Sequence, residues 1–206
     1  MSGNPMNVPP VSIVAAKNAL IAQFADPVLR RRAEEVPPAE IGSTFIQTLI
    51  DDMIETMRDA HGAGIAAPQV HEPVRISVIE VHQSARYPDM PEIPLSVLVN
   101  PIVEPLVAVE PLADRDAIAM YEGCLSVDGL RGRVRRPRRV RVRALDREGR
   151  SVELTWEGLR AAVVQHETDH LDGILFIDRA DPKTLCFLPE YERYVPREAR
   201  MIDGGE

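Results

Sequence analysis

Between Ser43 and Ala60 the apolar residues Ile46, Leu49, Ile50, Met53, Ile54 and Met57 recur at spacings of three and four. That period places them on one face of an amphipathic helix, which His61-Gly62-Ala63-Gly64 then stops. Upstream, Asp26-Pro27 opens a short segment and Val36-Pro37-Pro38 breaks it. Val74 to Val81 and Leu95 to Val103 read as strands separated by a Pro-containing loop. Asp114 to Ala119 leads into a turn-rich stretch, Glu122-Gly123-Cys124-Leu125-Ser126. Arg138 to Leu145 alternates Arg with Val and Ala, the pattern of a half-exposed strand. Glu148-Gly149 predicts a hairpin turn into Ser151 to Trp156. A second helix is expected from about Glu157 to Leu171, with Leu159, Ala162, Val163, His166 and His170 on one broad face and Gly173 placed to end it. Runs of strands with two separated helices predict an α+β fold rather than a doubly wound parallel sheet. Residues 1–12 and the Gly204-Gly205 end read as loose tails.

Composition narrows this picture. A chain of 206 residues that is 45% hydrophobic can bury one sizeable core, so a single domain is expected. Aromatics make up only 4%, so that core rests on Val, Ile, Leu, Ala and Met. No apolar run approaches the roughly 20 residues that span a bilayer. Met1 to Pro10 is small and Pro-rich, unlike a charged start followed by an apolar stretch, so no secretory signal is expected. The two cysteines, Cys124 and Cys186, do not make a disulfide framework. A reduced, cytoplasmic protein without a membrane partner follows as the expectation.

Charge is unevenly spread within the net −8: Arg131 to Arg150 holds ten Arg against Asp146 and Glu148. Such a strip can contact nucleic acid. The plainer reading is a solvated strand pair whose arginines bridge to the acidic remainder.

Candidate chemistry lies on the second helix, where Gln165-His166-Glu167-Thr168-Asp169-His170 contains H-E-x-x-H. Residues at i and i+4 sit one turn apart on the same face, so both imidazoles can reach one cation. Glu167, one step round, can take and return the proton of a water on that cation without being a ligand itself. Two of only five histidines share this face in an otherwise apolar stretch, where unpaired imidazoles would be costly to bury. A third ligand is not fixed by spacing. A metzincin-type extension would need His at 176, which is Phe176; a later-helix ligand could come from Glu190 or Glu192; and Cys124 offers a thiolate upstream.

Three segments, Gly62-Ala63-Gly64-Ile65-Ala66-Ala67-Pro68-Gln69, Glu122-Gly123-Cys124-Leu125-Ser126 and Gln165-His166-Glu167-Thr168-Asp169-His170-Leu171-Asp172-Gly173, occur in this order. Together they resemble the three signature motifs of the peptide deformylase family, and the resemblance runs from about Asp26 to Arg179, including Leu175-Phe176-Ile177-Asp178-Arg179. It implies antiparallel sheets packed around the H-E-x-x-H helix with a further helix on the N-terminal side, in one catalytic domain over 13–206 whose 181–206 segment is a variable tail. It further implies a divalent metal on Cys124, His166 and His170, with Fe²⁺ preferred and Zn²⁺, Ni²⁺ or Co²⁺ able to substitute. The implied reaction removes the N-formyl group from the initiator methionine of nascent chains. In it Glu167 acts as base and then acid, the Gln69 amide and the Leu125 backbone N–H stabilise the oxyanion, and the Gly64 backbone and Arg131 hold substrate. Implied partners are N-formylmethionyl nascent peptides and, through the Arg131–Arg150 strip, the ribosome; neither DNA nor a membrane is implied. The expected setting is the bacterial cytoplasm, in keeping with an Arg-rich chain whose only lysines are Lys17 and Lys183. Ala63, Ile65 and Asp128 depart from the residues common in the family at those places, and they bear on peptide preference rather than on the metal site.

Overall fold

The computed structural model describes residues 21–82, 92–107 and 112–204; the expected 1–12 tail lies outside them. The first helix, α1, spans Thr44–Asp59. Ser43 caps it, its side chain accepting the Ile46 N–H at 3.3 Å, and the six apolar residues of the three-and-four pattern are all buried.

Five antiparallel strands form the first sheet: β1 (Gly64–Ala66), β2 (Ile76–Val81), β3 (Ile93–Pro105), β6 (Arg139–Leu145) and β7 (Ser151–Glu157), in that spatial order. A second, four-stranded sheet runs β8 (Cys186–Phe187), β5 (Val127–Pro137), β4 (Ala117–Cys124), β9 (Met201–Asp203). Between them lies α2 (Leu159–Leu171), packed on β1, β2, β3 and β7 of one sheet and β5 of the other. Every residue of β2 is buried, although antiparallel strands commonly alternate. The reason is that the strand is covered twice: Ile76 and Val78 pack in the α1 cluster, while Ile79 and Val81 pack with Leu159, Val163 and Val164 of α2. The α+β arrangement expected from the sequence is the one observed.

Several details differ from the sequence reading. Helix α2 is buried well beyond the expected face, with Ala161, Val164, Glu167, Asp169 and Leu171 shielded as well, while Arg160 is exposed and Gln165 and Thr168 are half-buried. It begins at Leu159 because Gly158, at φ 57° and ψ −131°, breaks the chain out of β7. Glu122, Gly123 and Cys124 end a strand rather than form a turn, because β4 pairs with β5, Glu122 opposite Gly132 and Cys124 opposite Val127. The arginine-rich segment crosses from one sheet to the other, β5 in the second and β6 in the first, so it is not a strand pair. Its charges do bridge to acids, as expected: Arg135 to Asp114, Arg138 to Asp203, Arg139 to Glu157, Arg141 to Glu153, Arg143 to Glu104 and Arg147 to Asp51.

The segment after Asp181 completes both edges of the second sheet. Leu130 pairs with Phe187 on one side and Ile118 with Asp203 on the other. Between these strands runs α4 (Leu188–Tyr194), and α3 (Phe176–Arg179) precedes them.

Gly173 ends α2 as expected, at φ +75°, with its N–H on the His170 carbonyl and the Ile174 N–H on that of Asp169. A Cβ there would stand 2.8 Å from the Arg30 carbonyl carbon and oxygen. Gly173→Ala therefore combines left-handed backbone strain with a main-chain clash, and should destabilise the fold by about 2 kcal/mol or more. A urea midpoint equal to that of the unsubstituted protein would refute this.

Candidate metal centre

Strand β4 and helix α2 each bring side chains to one point. Glu122 and Cys124, two residues apart at the irregular end of β4, both reach α2, at His166 and His170 respectively, and His166 and His170 share a face of that helix. Cys124 Sγ lies 3.2 Å from His170 Nε2. The donor atoms of Cys124, His166 and His170 all fall within 4.8 Å of one another, the two imidazoles meeting edge to face at 5.0 Å between centroids. Ligands of a tetrahedral cation bound at about 2.0–2.3 Å stand roughly 3.3–3.8 Å apart, so this sulfur and two nitrogens fit a cation. Glu190 and Glu192, the alternative ligands, are exposed on α4 and do not join this group.

The histidines differ in their support. His166 Nδ1 is held at 2.8 Å by the Glu122 carboxylate, which leaves Nε2 for the centre. Arg136 grips Glu122 with two bonds of 2.6 and 2.9 Å and reaches Asp169 at 2.8 Å. Asp169 is in turn held by Arg179 with two bonds of 2.7 Å. Burial opposes ionisation of Glu122, yet the Arg136 charge and hydrogen bonds, with His166, keep its pKa down at about 2. Burial likewise opposes protonation of His166, but its hydrogen bonds with Cys124 and Glu122 raise its pKa well above the ordinary value. His170 moves the other way, lowered by burial and then by the charge of His166, and its Nδ1 has no partner among the described residues.

Glu167 is 4% exposed, and its Oε2 has no hydrogen-bond partner among the described residues. Burial is the main cause that raises its pKa to about 7. Gly64 packs directly on this carboxyl: a Cβ there would come within 2.7 Å of Glu167 Cδ. In metal-free protein below pH 4.5, Glu167 is protonated whether the chain is folded or not. From 4.5 towards 7 only the folded chain keeps the proton, and above 7 a buried carboxylate must carry its charge. Metal-stripped Glu167→Gln should therefore match the unsubstituted protein below pH 4.5 and exceed its stability by up to about 3 kcal/mol above pH 7. Urea titrations of chelator-treated protein across that range test this, and a pH-independent difference would rule it out.

Gln69 follows β1 on a single 3₁₀ turn, Ala67–Val70. Its Oε1 accepts the Ala66 N–H at 2.8 Å, and its Nε2 donates to Ser126 Oγ at 3.1 Å, 3.6 Å from Cys124 Sγ. Leu125 lies in the turn after β4, its side chain against the α1 cluster. Arg131 lays its guanidinium on Gly123, next to Cys124, and donates to the Leu130 carbonyl at 2.8 Å. All eight residues singled out from the sequence thus fall in or beside one site. Sequence reading gave no role to Glu122, Ser126, Arg136 or Asp169. Glu122 and Asp169 carried a signal in their spacing, i−2 from Cys124 on a strand and i+3 from His166 on a helix.

A family model described as "Polypeptide deformylase" matches residues 19–185. The chain belongs to the peptide deformylase family. It is 43% identical over 173 residues to peptide deformylase 1A, chloroplastic/mitochondrial, of Arabidopsis thaliana, covering 80% of this chain and 62% of that one. To a peptide deformylase of Leptospira biflexa it is 41% identical, covering 77% of this chain and 86% of that one. The structure resembles the Met-Ala-Ser-bound class I type b peptide deformylase of Acinetobacter baumannii, with a TM-score of 0.73 and 37% identity over 79% of this chain and 98% of that one. The family is metal-dependent, and Cys124, His166 and His170 are the group here that could hold an ion. Among the described residues no helix is long and apolar enough to cross a membrane.

Proposed function

We propose that Cys124, His166 and His170 hold one divalent cation, and that the enzyme removes the N-formyl group from the initiator methionine of nascent polypeptides, releasing formate. One observation carries this reading: the Cys124 thiol meets both histidines of the H-E-x-x-H helix beside a buried carboxyl whose Oε2 has no hydrogen-bond partner among the described residues. Fe²⁺ is the proposed ion, with Zn²⁺, Ni²⁺ or Co²⁺ able to substitute; one sulfur and two imidazoles suit such borderline-soft metals. When bound, the cation polarises the formyl carbonyl and brings the pKa of water down towards ~7. Glu167 takes a proton from the attacking water and delivers it to the leaving amine, a task matched to a carboxyl raised to about 7. The Gln69 amide and the Leu125 backbone N–H donate to the developing oxyanion. Gly64 lies on β1, an edge of the first sheet, and an extended peptide can align along that edge. Arg131 receives the far end of the peptide.

The nascent formylated peptide is the partner, acted on in the bacterial cytoplasm by a single catalytic domain over 13–206. Eight of the ten arginines in the Arg131–Arg150 strip are committed to carboxylates of this chain, which favours neither a ribosome contact nor RNA binding.

Anaerobically purified, Fe²⁺-loaded protein should release formate from formyl-Met-Ala-Ser, and Cys124→Ser should lose its bound metal. Absence of formate would defeat the deformylase reading. Full metal content in Cys124→Ser, with loss in Glu190→Ala or Glu192→Ala, would replace it with a zinc peptidase.

A further inference from the structure

Ser126 is fully buried, at 0% exposure, in the two-residue turn that follows Cys124. It touches two members of the centre at once. Its backbone N–H points to Cys124 Sγ at 3.4 Å, and its hydroxyl oxygen accepts from Gln69 Nε2 at 3.1 Å. The other end of the Gln69 carboxamide is fixed as well, because the Ala66 N–H can only donate and so requires Oε1 opposite it, at 2.8 Å. These two contacts together set which way the amide faces.

A carboxamide nitrogen carries two hydrogens. One is taken by Ser126 Oγ, and the other faces Cys124 Sγ, a weak acceptor 3.6 Å from the nitrogen. The second hydrogen is therefore held on the metal-site side without a strong acceptor of its own. A donor preset in this way costs little reorganisation when negative charge develops beside it. Without the hydroxyl, both hydrogens would have only the sulfur to share, and the amide could swing about its last torsion.

We propose that Ser126 is a positioning residue: its hydroxyl occupies one amide hydrogen of Gln69 so that the other stays aimed at the oxyanion. The proposal rests on the deformylase reading, in which Gln69 donates to the formyl oxygen. Ser126 itself touches neither substrate nor ion, and acts through Gln69.

The test is a double-mutant cycle on formate release, with metal content and melting temperature measured on each variant. Ser126→Ala should keep its metal and its KM while kcat falls about tenfold or more, part of the loss seen in Gln69→Ala. In the Gln69→Ala background the same change should cost nothing further in kcat. An equal loss in both backgrounds, or unchanged kcat in Ser126→Ala, would overturn the proposal. A second measurement needs no substitution. In the diamagnetic zinc-loaded protein, the two side-chain amide protons of Gln69, which is 2% exposed, should differ in solvent exchange, the one on Ser126 Oγ exchanging more slowly than the one facing Cys124 Sγ. Equal exchange would also overturn it. If the unsubstituted enzyme releases no formate, the functional reading fails, whereas the exchange experiment still reports on the hydrogen bond.

Discussion

Glu167→Gln should lower formate release from a formyl-methionyl peptide by about 10²–10⁴-fold while leaving the bound metal in place. The amide keeps the size of the carboxyl, so the close packing against Gly64 survives. It cannot accept or return a proton at neutral pH, which is the work proposed for the carboxyl. Ligation should be untouched because Glu167 is not among the three residues proposed to hold the ion, Cys124, His166 and His170. Metal analysis and steady-state kinetics on the same preparation decide the matter. A variant within tenfold of the original rate would mean that the proton is handled elsewhere. The same substitution is expected to stabilise the metal-free fold above pH 7, so stability and activity should move in opposite directions.

Arg136→Met should cost about 3–5 kcal/mol of folding stability near neutral pH. Its side chain is 4% exposed and answers two carboxylates, Glu122 at 5% and Asp169 at 11%. A thioether of similar length fills the space but leaves Glu122 charged, buried and without its guanidinium. The pH dependence gives a second check. Glu122 is held at about 2 in the folded protein, below its ordinary 4.5, so the stability it contributes is present above pH 4.5 and fades as pH falls towards 2. The deficit of Arg136→Met should therefore shrink below pH 4.5, where protonation relieves the stranded carboxylate. Metal affinity should also fall, by about 10–100-fold, because Glu122 orients the His166 ring. A variant as stable as the original at pH 7 would show that the chain of ion pairs is dispensable.

How much of this was readable in the chain depends on how local each cause is. Helix α1 was legible because its single apolar face and the Ser43 cap lie within its own sequence. The position of α2 was legible too, but not its surroundings: its Ala and Val residues are equally suited to one buried face or to burial well beyond it. Only the end of strand β4 departs from the turn expected over residues 122–126, because Glu122-Gly123-Cys124 has no strand preference of its own and its extended form comes from pairing with β5. Cys124, His166, His170 and Glu167 were visible because helix geometry and short motifs bring them together. Arg136 was lost among ten arginines, since what distinguishes it are partners 14 and 33 residues away in the chain. Strands β8 and β9, two and three residues long, carry too little pattern to be seen.

Cys124 and His170 belong to different layers of the molecule and lie 46 residues apart in sequence. A cation shared between them ties off that stretch of chain much as a covalent cross-link would. For a closed loop of this length the chain-entropy model gives about 4 kcal/mol. Loading such an ion would act as a reversible staple on the polypeptide, so that the supply of metal would govern how long each molecule survives in its native form.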